Sequence, residues 1–516
     1  MDKDIFLTYP VIIMRTGGLD GVALQAREYR HLLNKMDIGV HVVTGRCETK
    51  FSTVNPIGHQ QTTVSRLDFY HPDSRKLFAN QFEHGSETEE GVDIISDKEW
   101  LELFEIHKEK IKKGVCRVLD KVKRNTPVLI YNLVSLRHAH PAAAVALREI
   151  ILENPNRAFM SHSADPDAER PEKIGRIKPF VLEKISAFGP EEPYSGGPYH
   201  MNNLYHIVLN PTQRDNFLNK YNIPQNHVIE IPDFLDFVSE KPVIKMAPSK
   251  IFMHFLAERC LRTKGDSYGY RHVRVTKDTV FFLSPVRPVY RKQLKEAMLV
   301  AREYGTVHNV DVAFVVTHPN TDDKQYFLES VEFSEKIGLP YYHLGKEFTL
   351  ETLDSVYENM ASLKTVGVIA SSAGGWENAL NEMARAGIPF YMNLHLNSYV
   401  PIIKEIGMRV HGADFKKIVP LVEKVEKGAD YTPGQFADAD EFRPIFAAVE
   451  EMLGRESRRT LVEHNYHKAY NYLSHDATLT RLVEGVNYIY KRHGDPRKEV
   501  KASTLDKIVH SYEQLP

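Results

Sequence analysis

Residues 365–392 read TVGVIASSAGGWENALNEMARAGIPFYM, and this stretch decides the fold. It begins with a short apolar run, Thr365–Ala370, continues through a turn of small residues into a segment with helical periodicity, and ends in a second apolar run, Ile388–Met392. Short continuous apolar runs are typical of parallel strands that are buried on both faces. Parallel neighbours need a crossover connection, which is usually a helix. The stretch therefore predicts a β-α-β unit with a glycine turn between its first strand and its helix.

The same alternation of strand and helix extends outward from this unit over most of the chain. Helical periodicity fills many of the gaps between apolar runs. The strand-like runs form a first series and a second series, separated near residues 232–276: Ile5–Met14, Val40–Thr44, Pro127–Tyr131, Arg157–Ser161, His206–Leu209 and His227–Ile231, then Thr279–Ser284, Val310–Thr317, Thr365–Ala370 and Ile388–Met392. We therefore expect an α/β fold with two Rossmann-like domains that face each other across a cleft.

The length of 516 residues also favours more than one domain. We expect an N-terminal Rossmann-like domain at 1–235, a linker and insertion at 236–276, and a C-terminal Rossmann-like domain at 277–455. Helices and a tail follow at 456–516, and we expect these helices to cross back to the N-terminal domain. The insertion contains a basic segment, Arg259–Arg274, which could bind a phosphorylated acceptor, an anionic surface or nothing.

Composition excludes several classes of protein. The 66 Lys and Arg residues nearly balance 68 Asp and Glu residues, and this net charge of −2 argues against a nucleic-acid binder. We expect no integral membrane segment, because no uncharged run approaches the length of about 18 apolar residues that a membrane span needs. The three cysteines lie far apart in the sequence and form no disulfide framework, which fits a reducing, cytoplasmic location. The 24 histidines show no metal-ligand spacing, and we expect no metal site.

The glycine turn and its helix carry the first candidate site. Gly374 and Gly375 allow backbone N–H groups to approach a ligand, and N–H groups at a helix N-terminus suit a diphosphate. One helical stripe is expected to pack on the sheet, which leaves Asn378 and Glu382 on another side to face a cleft, where Glu382 can accept hydrogen bonds from sugar hydroxyls. An ordinary strand–turn–helix with a solvated glutamate is an equally weighted alternative. The stripe contains Trp376, Ala379, Leu380, Met383 and Ala384.

A basic turn carries the second candidate site. The segment Ser284–Gln293 leaves a predicted strand and enters a helix, and within six residues it contains Arg287, Arg291 and Lys292. A guanidinium and an ammonium in this position can hold a diphosphate and neutralise the charge of a leaving group, and we expect Lys292 to be solvated and to face the ligand. A solvated basic loop is the alternative. This alternative becomes less favoured because both candidate segments follow strands of the same domain.

These segments resemble the donor site of retaining glycosyltransferases with the GT-B fold, family 4 in the sequence classification. Arg287 and Lys292 have the family's Arg-x4-Lys spacing, and the segment Glu382–Pro389 matches its E-A-x-x-x-G-x-P element, with Met383 in place of Ala. The resemblance implies transfer of a hexose from a nucleotide-diphosphate sugar to a hydroxyl of a small acceptor, with retention at the anomeric carbon. It also implies that no metal or other cofactor is required.

The resemblance assigns roles to individual residues. Arg287 and Lys292 would be catalytic, and His162 is a candidate for the same group, with a structural or solvated histidine as the alternative. The donor-binding residues would be Gly374, Gly375, Glu377, Asn378, Ala379, Leu380 and Glu382. The acceptor-side residues would be Gly17, Gly18, Asp20 and Asn132.

A departure from the family pattern leaves alternatives open. Gly374 stands where the family has its first glutamate, and Glu377 is a carboxylate three residues later that could substitute for it. A nucleotide-sugar epimerase or hydrolase, or a non-catalytic subunit that binds nucleotide sugars, therefore remains an alternative to the transferase. Weaker matches at Thr317–Pro319 and Asn393–Tyr399 resemble a subset of the family that makes small soluble glycosides. The nucleotide, the sugar and the acceptor are undetermined, and a homo-oligomer is possible.

Overall fold

The computed structural model describes most of the chain. The described residues are 11–17, 21–35, 40–47, 60–83, 92–122, 126–164, 166–169, 171–186, 201–237, 239, 241–242, 244, 247–318, 324–344, 350–372, 374, 376–428 and 430–493. They divide into two compact units: residues 1–234 together with 475–516, and residues 235–474. The segment predicted as linker and insertion thus lies in the second unit.

The first unit alternates strands and helices around one sheet. Its elements are β1 (Val11–Gly17), α1 (Gly21–Lys35), β2 (His41–Cys47), β3 (Gln60–Thr63), α2 (Pro72–Asn80), α3 (Asp97–Leu119), β4 (Val128–Tyr131), α4 (Pro141–Glu153), β5 (Phe159–His162), α5 (Pro171–Ile174), α6 (Pro179–Ser186), β6 (Leu204–Val208), α7 (Pro211–Asn219) and β7 (Val228–Glu230). The sheet has the order β3-β2-β1-β4-β5-β6-β7 and is parallel throughout.

The second unit repeats this plan. Its elements are α8 (Lys250–Glu258), β8 (Cys260–Lys264), β9 (Ser267–Arg271), β10 (Val280–Ser284), α9 (Leu294–Val307), β11 (Val312–Val316), α10 (Lys324–Lys336), β12 (Tyr341–His343), α11 (Leu350–Ala361), β13 (Lys364–Ile369), α12 (Asn378–Ala386), β14 (Phe390–Asn393), α13 (Tyr399–Pro401), β15 (His411–Ala413), α14 (Val419–Lys427), α15 (Arg443–Leu453) and α16 (Arg455–Leu473). Its parallel sheet has the order β12-β11-β10-β13-β14-β15.

The last helix, α17 (His475–His493), returns to the first unit. There Leu479 and Leu482 join a core cluster with Ile12, Tyr29 and Tyr131. At its start His475 Nε2 donates a hydrogen bond of 3.0 Å to the buried carboxylate of Glu28 in α1. Apolar packing and this buried pair together hold α17 on the first unit, which confirms the predicted crossing back for the last helix, whereas α16 belongs to the second unit.

The predicted α/β class with two Rossmann-like parts is also confirmed. Each of the ten predicted strand runs overlaps an observed strand, although the predicted and observed ends differ by one or more residues, and the first run, Ile5–Met14, overlaps β1 from Val11 onward. The sequence analysis missed β3, β12 and β15, which are short, and the antiparallel hairpin β8–β9 inside the basic insertion. Among the described residues, no helix combines the length and the apolar character needed to cross a membrane.

Candidate functional site

The strand order of the second unit places its candidate residues at one edge of the sheet. The chain runs from β10 outward to β11 and β12, then returns to pair β13 with β10 on the other side. Between β10 and β13 the connections leave in opposite directions, which opens a crevice beyond the carboxyl ends of the strands. The basic turn follows β10 and the glycine turn follows β13, so both predicted segments lie at this switch point.

The two turns are joined directly by hydrogen bonds. The backbone N–H of Ser372 donates to the carbonyl of Arg291 at 2.8 Å, and the Ser372 hydroxyl donates to the same oxygen at 3.2 Å. The side-chain amide of the buried Asn393, at the end of β14, donates to the carbonyl of Ser371 at 3.0 Å. The relative position of the cationic turn and the glycine turn is therefore fixed by the fold.

Lys292 differs from its prediction as a solvated, ligand-facing side chain. It is buried, and its ammonium pairs with the buried carboxylate of Glu377 at 2.5 Å. Burial lowers the pKa of Lys292 to about 8, with the charges of Arg291 and Arg287 acting in the same direction and Glu377 opposing them. The prediction of a solvated lysine was wrong because a contact 85 residues away along the chain supplies its counterion.

The Glu377 carboxylate is ionised in this pair. Burial by itself would raise the pKa of Glu377, but the Lys292 ammonium, with Arg291 and Ser371 nearby, lowers it below the usual range. Glu377 is the N-cap residue of α12, yet its side chain makes no capping hydrogen bond, because it extends to Lys292 instead. The N-terminus of α12 therefore begins at this crevice without a side-chain cap.

Glu382 and Trp376 also differ from their predictions. Glu382 is buried and accepts a hydrogen bond from the hydroxyl of Tyr357 in α11, whereas the sequence predicted a carboxylate facing a cleft. Asn378 is half-buried, and α12 begins only there, so Trp376 precedes the helix. Trp376 is half-buried and donates from its indole N–H to the side chain of Asn381 at 3.2 Å. The remaining stripe residues are buried as predicted: Ala379, Leu380, Met383 and Ala384.

Gly374 lies against the Glu377 carboxylate. A Cβ atom at Gly374 would be 2.6 Å from Glu377 Oε1 and 3.9 Å from Arg291 Nη1. The predicted approach of a ligand to the amides of this turn thus competes with a carboxylate that is already there. Gly375 lies outside the described residues.

His318 also belongs to this site, although it was not among the candidate residues predicted from the sequence. It is the second residue after β11, and its Nδ1 lies 3.0 Å from the Thr317 hydroxyl. Burial lowers the pKa of His318 to about 3, with further lowering by the charges of Arg287, Lys292 and His343. A neutral imidazole therefore lies near the cations of the crevice. Its position two residues after a buried strand was the sequence signal that could have identified it.

The first unit has its own switch point, between β1 and β4. Gly17 ends β1, Asn132 follows β4, and His162 ends β5, so these three predicted residues lie at neighbouring strand ends. Asn132 is buried, has φ of 54°, and donates from its N–H to the carbonyl of His162 at 2.9 Å. Gly18 and Asp20 lie outside the described residues.

His162 is enclosed by aromatic rings and one carboxylate. Its ring stacks on Tyr131 with centroids 4.2 Å apart and meets the Tyr29 ring edge-on at 6.3 Å. Its Nε2 lies 3.3 Å from a carboxylate oxygen of the buried Asp233. These contacts give His162 a structural role within the first unit, whatever further role it has.

One group of potential metal ligands occurs among the described residues, although the histidine spacing predicted none. His71, Asp73 and His107 approach one another at the start of α2 and in α3. The guanidinium of Arg66 binds both the Asp73 carboxylate and His107 Nδ1, the latter at 2.7 Å. A cationic side chain therefore already occupies the position between these ligands.

Comparison with known proteins yields one sequence relative and many structures of the same fold. No protein-family model matches the chain. Mannosylglucosylglycerate synthase from Thermotoga maritima is 22% identical over 382 residues, which are 73% of this chain and 78% of that protein. Sucrose-phosphate synthase from Thermosynechococcus elongatus is similar with a TM-score of 0.57 and 12% identity over 94% of this chain and 100% of that one. HepE from Anabaena, solved in complex with UDP and glucose, is similar with a TM-score of 0.54 and 10% identity, over 93% of this chain and 99% of that one.

These similarities identify the fold and the class of its relatives. The two parallel α/β sheets are those of the GT-B fold, as the sequence predicted. The prediction of a glycosyltransferase enzyme agrees with the comparisons, because the sequence relative and the structural neighbours are glycosyltransferases.

Proposed function

We propose that this chain is a retaining glycosyltransferase of the family 4 type, which transfers a hexose from a nucleotide-diphosphate sugar to a hydroxyl of a small soluble acceptor. The observation that carries the proposal is the set of cations at the switch point of the second unit. Arg287, Arg291 and Lys292 follow β10 there, opposite the uncapped N-terminus of α12. These groups are suited to one ligand class, a diphosphate.

The chemistry follows from this charge distribution. Breaking the bond between the anomeric carbon and oxygen leaves negative charge on the diphosphate. Preorganised cations and amides stabilise such charge as it develops, and the loss of one such donor typically lowers the rate by roughly 10²–10³-fold. Three cationic side chains can perform the task that a metal ion performs in other transferases, so we propose that the reaction needs no metal.

The Lys292–Glu377 pair prepares the lysine for this role. In the absence of a diphosphate, Glu377 supplies the counterion that a buried ammonium needs. A diphosphate brings at least two negative charges to the same cations. We infer that Lys292 then serves both the phosphate and Glu377, as an ammonium with three donors permits.

The acceptor is proposed from the relative. The name of the Thermotoga maritima protein describes the synthesis of a mannosyl derivative of glucosylglycerate, a glycoside of a sugar-acid type. We propose an acceptor of this general class. We place it on the first unit, at the strand ends that carry Gly17, Asn132 and His162, with Gly18 and Asp20 in the adjoining connection. A cytoplasmic location and a homo-oligomer stay predictions.

A ligand screen followed by an assay tests the proposal. Nucleoside diphosphates and their sugars (UDP, GDP and ADP series) are added to the full chain, and one series should raise its melting temperature, because a ligand that binds the native state stabilises it. The matching nucleotide sugar with glucosylglycerate-type acceptors should then give a product with the donor's anomeric configuration, in EDTA as in buffer.

The alternatives give different results in the same assay. Conversion of the sugar nucleotide to another sugar nucleotide without an acceptor would indicate an epimerase. Fast release of free hexose would indicate a hydrolase. Donor binding without turnover across a wide acceptor panel would indicate a non-catalytic subunit, and absence of binding by every nucleotide would contradict the proposal.

A further inference from the structure

A chain of hydrogen bonds connects a buried carboxylate to the crevice of the second unit. The hydroxyl of Tyr357 in α11 donates to the carboxylate of Glu382 in α12. The same tyrosine hydroxyl is hydrogen-bonded to the side chain of Thr317, whose hydroxyl lies 3.0 Å from Nδ1 of His318. The first three members of this chain are buried, whereas His318 is half-buried. The chain therefore runs from the interior of the unit to one partly accessible imidazole.

The hydrogens available to this chain fix its direction. An ionised carboxylate only accepts hydrogen bonds, so the Tyr357 hydrogen points toward Glu382. Burial and the charge of Glu382 raise the pKa of Tyr357 well above its usual value, so the tyrosine keeps this hydrogen. Its oxygen then accepts from the hydroxyl of Thr317, which has only one hydrogen to donate. The threonine oxygen therefore accepts from His318, and this imidazole carries its hydrogen on Nδ1.

The other nitrogen of the imidazole is consequently a hydrogen-bond acceptor. Burial lowers the pKa of His318 to about 3, with the charges of Arg287 and Lys292 acting in the same direction, so the ring is neutral near pH 7. A neutral imidazole with its hydrogen on Nδ1 has a lone pair on Nε2. Among the described residues Nε2 has no hydrogen-bond partner, and this atom is not fully buried. An acceptor without a partner thus lies beside the cations of the crevice.

We propose that Nε2 of His318 accepts a hydrogen bond from a hydroxyl of the nucleotide sugar, and that the chain through Thr317 and Tyr357 is what makes this nitrogen an acceptor. The inference rests on the proposed function, because a diphosphate bound by the neighbouring cations brings the sugar hydroxyls to this ring. It adds a residue after β11 that selects the ligand by an uncharged contact, whereas the cations of the basic turn select it by charge.

The tautomer decides which group of the ligand can lie against the ring. An unprotonated phosphate oxygen is itself an acceptor and would meet the lone pair of Nε2 without a hydrogen bond, so the diphosphate binds the cations instead. Hydroxyls of the ribose and of the hexose flank the diphosphate, and either kind can donate to Nε2. The opposite tautomer would donate from Nε2 and would suit a phosphate. The Thr317 hydroxyl therefore determines the chemical class of the contact.

The tautomer is measured first, by NMR spectroscopy on the full chain with ¹⁵N-labelled histidine. The two nitrogens of an imidazole differ in chemical shift according to which one carries the hydrogen, and the His318→Asn spectrum assigns the signals. The wild-type chain should carry the hydrogen on Nδ1. This preference should be lost in Thr317→Val, which removes the hydroxyl and keeps the shape of the side chain. A wild-type chain with the hydrogen on Nε2 would overturn the inference.

The matched control for this substitution is Thr306→Val. It removes a threonine hydroxyl from α9 of the same unit, where the hydroxyl donates to the carbonyl of Arg302 at 3.1 Å. The His318 signals and the kinetics of this variant should equal those of the wild-type chain. A tautomer change in the control would show that the loss of any threonine hydroxyl disturbs the ring, and would overturn the specific role of Thr317.

Donor analogues then identify the hydroxyl. The nucleotide hexose found in the screen is compared with its 2′- and 3′-deoxyribose analogues and with its 2-, 3-, 4- and 6-deoxyhexose analogues. In the wild-type chain one analogue should lower kcat/KM by roughly 3- to 10-fold, as expected for a hydrogen bond between neutral groups. The same analogue should lower it less than about twofold in His318→Asn and in Thr317→Val. His318→Gln brings an amide oxygen close to the position of Nε2 and should restore part of the discrimination.

The remaining outcomes are distinguishable from failure of the proposed function. A ribose analogue that shows the coupling assigns His318 to the nucleoside, a hexose analogue assigns it to the transferred sugar, and both support the inference. Equal losses in the wild-type chain and in His318→Asn for every analogue would reduce the histidine to a structural residue. Coupling that persists in Thr317→Val would overturn the role of the hydrogen-bond chain.

Melting curves without ligand check that each variant folds. If Thr317→Val does not fold, Tyr357→Phe carries the test, because it interrupts the same chain one step further from the ring. A wild-type chain that binds no nucleoside diphosphate would contradict the proposed function itself, whereas normal diphosphate binding without any coupling at His318 would overturn only this inference.

Discussion

The two units carry parallel sheets of the same kind, each with a switch point, but the groups at their strand ends differ. At the switch point of the second unit lie three cations, an ionised carboxylate and a neutral histidine. At the ends of β4 and β5 in the first unit, the rings of Tyr131 and His162 stack on each other, and the carboxylate of Asp233 lies against His162. Topology thus fixes where ligands bind, while the side chains decide which chemistry is possible. The difference makes the second unit the more favourable place for the diphosphate of the proposed donor.

Removal of Lys292 gives the largest expected effect. Lys292→Ala should lower kcat by roughly 10²–10³-fold, because one cation of the proposed leaving-group site is lost. It should also lower the free energy of unfolding by roughly 3–5 kcal/mol, because Glu377 is left buried without a counterion. Steady-state kinetics and denaturant unfolding measure the two effects.

A double variant separates these two effects. Lys292→Met with Glu377→Gln removes both charges and should recover most of the stability while the activity stays low. Unchanged turnover in Lys292→Ala would remove Lys292 from the mechanism. The cations of the second unit would then no longer distinguish its chemistry from that of the first unit.

A charge in the first unit should affect stability and leave the donor site unchanged. Burial by itself would raise the pKa of Glu28, but the hydrogen bond from His475, with the charges of Arg27 and His31, lowers it from 4.5 to about 2. This shift corresponds to on the order of 3 kcal/mol. Glu28→Gln should therefore lower the free energy of unfolding of the first unit by about this amount near pH 7.

The sign of the pH dependence follows from the lowered pKa. The stabilisation by Glu28 is fully present above its unfolded pKa of 4.5 and is lost as the pH falls toward about 2. Unfolding curves of the wild-type chain and Glu28→Gln should thus converge below pH 4.5. Affinity for the nucleoside diphosphate should not change, and a large loss of that affinity would contradict the assignment of separate roles to the two units.

The pH dependence of diphosphate binding should report the deprotonation of Lys292 in the second unit. With its pKa lowered to about 8, the Lys292 ammonium loses its proton as the pH rises through 8, while the arginines stay charged. Calorimetric affinity for the nucleoside diphosphate should fall by about twofold between pH 7 and 8 and then by up to about tenfold per pH unit. The Lys292→Met/Glu377→Gln variant should show no such fall, and a fall that persists in it would have another cause.

The smallest effect is expected at Tyr131 in the first unit. Its hydroxyl is buried and accepts or donates no hydrogen bond among the described residues. Tyr131→Phe removes a polar atom that burial only penalises, so the melting temperature should stay the same or rise by a few degrees. A loss of more than about 1 kcal/mol would reveal a partner for the hydroxyl. Binding of the nucleoside diphosphate should be unchanged.

The fold could be predicted from the sequence because its signals are local. Each buried strand is a short apolar run, as in Val280–Ser284 and Lys364–Ile369, and the glycine turn marks the junction with α12. The short strands β3 and β15 were not predicted, because three or four residues are too few to show a periodicity. The hairpin β8–β9 was not predicted, because its charged and polar residues interrupt the apolar run that would indicate a strand.

The candidate site could be predicted only in part. Residues that follow strands, such as Arg287, Lys292 and Gly374, were located from the ends of apolar runs. The burial of these side chains was not predicted, since Lys292 is buried and the carboxylate of Glu382 accepts a hydrogen bond from Tyr357. Trp376 was assigned to the helical stripe because the sequence does not show that α12 begins only at Asn378.

The sequence by itself determined the alternation of strands and helices, the two Rossmann-like halves and the positions of cations and glycines at strand ends. These features depend on neighbouring residues and on the period of the backbone. The tertiary structure alone decided that Lys292 pairs with Glu377, that Gly374 leaves space for that carboxylate, and that His162 stacks on Tyr131. The physical reason is that burial and ion pairing depend on which distant segments the parallel sheet brings together, and no local pattern encodes those contacts.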